Sequence, residues 1–99
     1  MSEPFQVRIK GDSMWPTFHD GDFLTFAPVD DRTHLEVGMV VLAQHPLKKD
    51  VLVVKRINSV ESSGRLFLVG DQPDPLGSED SHNFGSVHRS AIVGCLVQC

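Results

Sequence analysis

Two residues in this sequence have the chemistry to work together: a serine in a tight bend and a lysine on an apolar strand. Ser13 stands in Gly11-Asp12-Ser13-Met14-Trp15-Pro16-Thr17. Gly11 opens backbone angles closed to other residues, and Pro16 fixes a turn just after Trp15. A hydroxyl placed there is presented rather than packed, which is what a nucleophile needs. The plainer reading is an ordinary turn in which Asp12 and Ser13 bond nearby backbone. Lys55 stands in Val51-Leu52-Val53-Val54-Lys55-Arg56-Ile57. Period-two alternation puts Val51, Val53, Lys55 and Ile57 on one strand face. Burial there disfavours the ammonium form and lowers the pKa, leaving an amine competent as a general base. The plainer reading is a stem laid over apolar surface with its head in water. From the strand alone the plainer reading is preferred; a poised serine elsewhere shifts the balance.

A third stretch, Gly70-Asp71-Gln72 followed by Ser78-Glu79-Asp80-Ser81-His82-Asn83-Phe84-Gly85, is either a solvated loop or a set of hydroxyls and carboxylates that orients the base. The five histidines, His19, His34, His45, His82 and His88, lie in turns or polar segments and read as surface residues. His82 with Asp80 is the one pair that suggests a Ser-His-Asp triad. Both sit in one short loop, whereas the aspartate of a triad must reach the far side of the imidazole, so the pairing of Ser13 with Lys55 ranks above it. Cys95 and Cys99 read as two small thiols; four residues along a strand separate them too far for a disulfide. No metal site or cofactor is expected.

These residues need a scaffold. The apolar residues come in short β-branched runs between turn residues, which favours strands. Strands are predicted at residues 6–10, 22–27, 39–43, 51–60 and 65–69, with an apolar segment at 91–97. Ser62-Ser63-Gly64 reads as a hairpin turn, residues 28–36 as a loop or one helical turn, and residues 70–83 as a polar loop. Phe23, Phe26, Phe67 and Phe84 read as core. Asp20, Asp30, Asp31, Glu36 and Glu61 read as surface. Trp15 and Phe18 either line a substrate pocket or anchor the bend. No segment keeps a helical period, so the expected fold is all-β: a small, strongly bent, barrel-like sheet.

Composition limits the alternatives. The 99 residues make one domain, 1–99, with 40% hydrophobic residues and a net charge of −4. With no basic run longer than Lys48-Lys49, a nucleic-acid groove is not expected. No apolar stretch reaches the roughly 20 residues of a transmembrane helix, and the first residues lack a signal-peptide pattern. A cytoplasmic protein is expected.

Four blocks taken together carry a resemblance. Gly-Asp-Ser-Met-x-Pro-Thr, then Gly-Asp, then Val-Lys-Arg-Ile, then Gly-Asp-x with Ser-x-Asp-Ser-x-x-Phe-Gly resemble the signal peptidase I family of serine–lysine endopeptidases. The resemblance implies an all-β catalytic core, Ser13 as nucleophile and Lys55 as general base. It places Ser78 where a serine hydrogen-bonds the lysine amine. Asp80 and Asp71 fall on structural carboxylates, Arg56 on the arginine that pairs with them, and Met14 on the methionine that helps bury the lysine. The oxyanion donor implied is the backbone N–H of Ser13; Gly11 holds the position where many members carry a second, hydroxyl donor. His82 stands where the family usually has arginine, leaving Arg56 or a protonated His82 to pair with Asp80. The gap between Gln72 and Ser78 is about two residues longer than usual.

The family's membrane anchor is not in the sequence, and only a short hairpin joins Arg56 to Gly70 where large members insert a second domain. In this the chain is similar to the compact nickel-type superoxide dismutase maturation proteases. That likeness implies a protein partner, the nickel superoxide dismutase precursor, bound as an extended strand and trimmed of a short N-terminal extension. Two other readings remain: a LexA-like self-cleaving domain, against which stand the twelve residues before Ser13, and a β-domain that binds a peptide without cutting it.

Overall fold

The computed structural model describes residues 3–74 and 79–97. Among these residues six strands form one antiparallel sheet: β1 (Phe5–Arg8), β2 (Phe23–Pro28), β3 (Val40–Gln44), β4 (Leu52–Val60), β5 (Leu66–Val69) and β6 (Ile92–Leu96), in the order β1-β2-β6-β3-β4-β5. The fold is all-β, as the short β-branched runs require. A one-turn helix, α1 (Ser81–Phe84), and a 3₁₀ turn before β6 are the helical elements of the described residues.

The unbroken apolar run of β3 follows from its central place. Val41 and Ala43 point into one core, with Ile57, Leu66, Leu68, Val87 and Ile92. Val40 and Leu42 point into the other, with Met14 and Phe26. A strand covered on both faces has no polar side to alternate with. The sheet also curls: β1, at one end of the order, and the first half of β4 line the same cleft.

Two bulges aid the bending. The register shifts between Ile57 and Ser59 against β5, and between Leu42 and Ala43 against β6; an extra residue on one strand increases local twist. Gly94 in β6 is needed for packing, because a Cβ there would lie 3.1 Å from both Phe26 Cβ and Phe5 Cζ.

Three expectations are corrected. The stretch at residues 70–83 is not loop throughout, since Asp80 caps α1 and Asn83 completes a capping box. Phe23 is not core but 67% exposed; Leu24 and Phe26 take the inward positions of β2, so alternation turns Phe23 out. His45 is not a surface residue but is buried, its ring 4.8 Å from that of Phe84. The loop at 28–36 forms no helical turn.

Candidate active site

Ser13 sits in a bend closed at its base by the ends of two strands. Ile9 N–H donates to Asp22 O (2.8 Å), and Gly21 N–H to Ile9 O (2.8 Å). Gly11 takes φ +81°, a conformation that favours glycine. Its N–H donates to Asp20 Oδ1 (2.7 Å), so that group is already engaged. Trp15 N–H donates to Asp12 O and Phe18 N–H to Met14 O, which tightens the turn around the serine. The Trp15–Pro16 peptide is cis. Met14, 1% exposed, pins the bend into the second core beside Phe26, Val40 and Leu42. Phe18 packs against the same cluster, while Trp15 is 43% exposed.

Lys55 comes from the middle of β4, opposite Val41. It is 3% exposed. Val53 and Ile57, two residues to either side, pack into the first core, so the lysine lies along an apolar face. Burial pushes its amine pKa below the usual lysine value, while the charges of Asp80 and then Glu79 pull it back up. The structure brings Ser13 and Lys55 together on one cleft of about 280 Å³. Its walls are residues 7–10 and 52–54, and Met14 and Leu42 also line it. Among the described residues, the Ser13 amide and hydroxyl make no hydrogen bond.

Among the described residues, the cleft is walled by two unpaired strand edges. β1 pairs with β2 on one side and ends the sheet on the other. β5 pairs with β4 from Arg56 onward, so among the described residues, residues 52–55 have a strand partner only in β3. Unpaired strand edges are where an extended peptide adds.

The supporting residues form two groups. Arg56 grips Asp71 through Nε–Oδ1 (2.9 Å) and Nη2–Oδ2 (2.7 Å), and Thr17 Oγ1 donates to Asp71 Oδ2 (2.6 Å). The guanidinium holds the Asp71 carboxyl below its usual range against the opposing effect of burial. Asp80 belongs to the second group and pairs with His82 (Nδ1–Oδ1, 2.9 Å), not with Arg56. It also accepts from Gly70 N–H and His82 N–H. Burial opposes ionisation of Asp80, yet these donors hold its pKa low. Ser78 lies outside the described residues, as does Cys99; Cys95 is a free thiol in β6. His82 is exposed and lies in a pocket with Gly70 and Gln72, not in the Ser13 cleft.

Three partners were not singled out by the sequence. Gln72 donates its N–H to Ser13 O (3.0 Å) and its side-chain amide to Asp12 O (3.1 Å). Thr17 anchors the bend to Asp71. His45 receives Leu47 N–H at Nδ1 (3.0 Å), so its proton sits on Nε2 and is donated to Glu79 Oε1 (2.9 Å). Its ring lies 4.8 Å from that of Phe84. Nothing local marks these contacts, which join residues up to 60 positions apart.

A single antiparallel sheet that gathers a bent serine and a buried lysine onto one cleft has the form of a serine–lysine peptidase domain. Residues 2–87 match the family described as Peptidase S24-like, and the chain belongs to that family. A search of curated proteins finds no match. No helix among the described residues is long and apolar enough to cross a membrane.

Proposed function

We propose that this protein is an endopeptidase in which Ser13 is the nucleophile and Lys55 the general base. The observation that carries this reading is the lysine, buried and of lowered pKa, opening on the same cleft as the serine. A peptide enters as an extended strand between the free edges of β1 and β4. Ser13 Oγ adds to the scissile carbonyl carbon as its proton passes to Lys55 Nζ. The Ser13 N–H donates to the oxyanion, worth about 2.7–4 kcal/mol for one good donor. The C–N bond then breaks as Lys55 returns the proton to the leaving amine. Water attacks the acyl ester with Lys55 again as base; the ester bond breaks and the proton goes back to Ser13 Oγ.

The substrate proposed is the nickel superoxide dismutase precursor, cut after its short N-terminal extension. The motif set and the short hairpin between β4 and β5 support this. The test incubates the protein with that precursor and follows its mass. Loss of the extension by wild type, and not by Ser13→Ala or Lys55→Ala, is expected. An intact precursor with wild type discards this substrate. Cleavage of the protein itself, abolished by Ser13→Ala, favours the LexA-like reading; binding of the precursor without cutting favours the peptide-binding domain.

A further inference from the structure

Ser13 has its backbone fixed from outside the cleft. Gln72 stands just beyond β5, is half-buried, and does not line the Ser13 cleft. Its Nε2 donates to Asp12 O (3.1 Å) and its backbone N–H to Ser13 O (3.0 Å). The orientation of its side-chain amide is set by Asp74 N–H, which donates to Oε1 (3.3 Å). The nitrogen end is thereby turned to Asp12. Gln72 thus holds the carbonyls on both sides of the Ser13 α-carbon.

The Asp12–Ser13 peptide is trans. In a planar trans peptide the C=O and N–H bonds point in opposite directions. The donors that fix Asp12 O, Gln72 Nε2 from the neighbouring segment and Trp15 N–H (3.0 Å) within the bend, therefore also aim the Ser13 N–H, here away from Gln72. Among the described residues that N–H makes no hydrogen bond. Its neighbour Asp71 is itself held by Arg56 and Thr17, so the strap carrying Gln72 is rigidly mounted.

We propose that Gln72 is a positioning residue for acyl transfer, holding the Asp12–Ser13 peptide plane so that the Ser13 N–H meets the oxyanion. This rests on the reading of Ser13 as nucleophile. The benefit falls on the transition state rather than on substrate binding, because the donor acts where charge develops.

The test compares wild type, Gln72→Ala and Gln72→Glu on a proteome-derived peptide library, with kinetics on the best-cut peptide. The Glu variant keeps the size, loses the donor and sets an acceptor against a carbonyl. Both variants should lose roughly 10- to 100-fold in kcat with KM little changed. A peptide aldehyde, which forms a hemiacetal with Ser13, should lose affinity in parallel, while the matching peptide alcohol should bind as before. A purely structural role instead predicts a lowered Tm with unaltered kcat in the folded fraction, and that result overturns the proposal. An active wild type matched by both variants also overturns the role alone. A wild type that cuts no peptide and forms no aldehyde adduct overturns the peptidase reading, and this role with it.

Discussion

Arg56 and Asp71 are joined by two parallel hydrogen bonds, 2.9 and 2.7 Å, that lock the strand carrying the lysine to the strap behind the serine. Neighbouring residues on a strand point to opposite faces. Lys55 is therefore buried on one side of β4 while Arg56 reaches out on the other. From there Arg56 also donates Nη1 to Gly38 O (2.8 Å). One strand thus delivers the amine and anchors the bend that presents the hydroxyl.

Replacing Arg56 with Lys should cost about 1–3 kcal/mol in urea unfolding, because an ammonium cannot reproduce the planar fork. The low end is expected, since Arg56 is one-third exposed. The folded-state pKa of Asp71 is depressed, so its contribution is full above the ordinary value of 3.8 and is lost as pH falls through the folded value. The stability gap between wild type and Asp71→Asn should therefore shrink below pH 4. A constant gap from pH 7 to pH 2 would show that the ion pair contributes nothing.

Lys55 should link activity and stability to pH in the same direction. Its folded pKa lies below 10.5, so between the two values the unfolded chain binds more protons and stability rises with pH. Lys55→Met should have a higher Tm than wild type at pH 7, and the difference should narrow toward pH 10.5. Peptidase activity should climb through the folded pKa as the neutral base appears. Lys55→Arg should be inactive, because guanidinium stays charged. A flat rate between pH 6 and 10 would remove lysine from the mechanism.

The glycine in β6 offers a test of the curled sheet. A methyl at Gly94 would press on Phe26 Cβ and Phe5 Cζ, each at 3.1 Å, with Ala27 O at 3.4 Å. Phe26 is fully buried and its Cβ is fixed by the backbone of β2, so the neighbour on that side has little room to give. Gly94→Ala should lose about 1–3 kcal/mol in thermal or urea unfolding. Unchanged stability would mean that the Phe5–Phe26 pair is loose.

The sequence was informative wherever a pattern was local. The apolar run at residues 39–43 was legible as a strand, which the structure buries on both faces, and alternation around Lys55 gave the face that β4 buries. The bend around Ser13 was legible from Gly11 and Pro16. What stayed hidden was pairing between distant segments. The contact of Gln72 with Asp12 spans 60 residues, and no periodicity encodes it. His45 looked like a turn residue because Pro46 follows it; its burial comes from Phe84 and Glu79, supplied by a segment some 34 residues later. Asp80 was legible as a carboxylate but not as a helix cap, since one turn of helix is too short to show a period.

Asp80 and His82 should separate sharply in mutagenesis. Asp80 is buried, caps α1 and accepts from Gly70 N–H at 3.0 Å, whereas the His82 side chain is 70% exposed and lies away from the Ser13 cleft. His82→Ala removes the exposed ring's hydrogen bond to Asp80 and its edge contact with Phe67 but keeps the backbone donor to Asp80, so it should cost about 1 kcal/mol or less and leave the rate nearly intact. Asp80→Ala loses the cap and strands the Gly70 N–H, a cost of about 1–3 kcal/mol. Asp80 also draws the Lys55 pKa upward, so Asp80→Asn should move the alkaline rise in activity to lower pH. Urea unfolding and a pH–rate profile on the three variants measure both effects. If His82→Ala abolishes cleavage while staying folded, a histidine base displaces Lys55. If Asp80→Asn leaves the profile where it was, the aspartate acts on the fold and not on the amine.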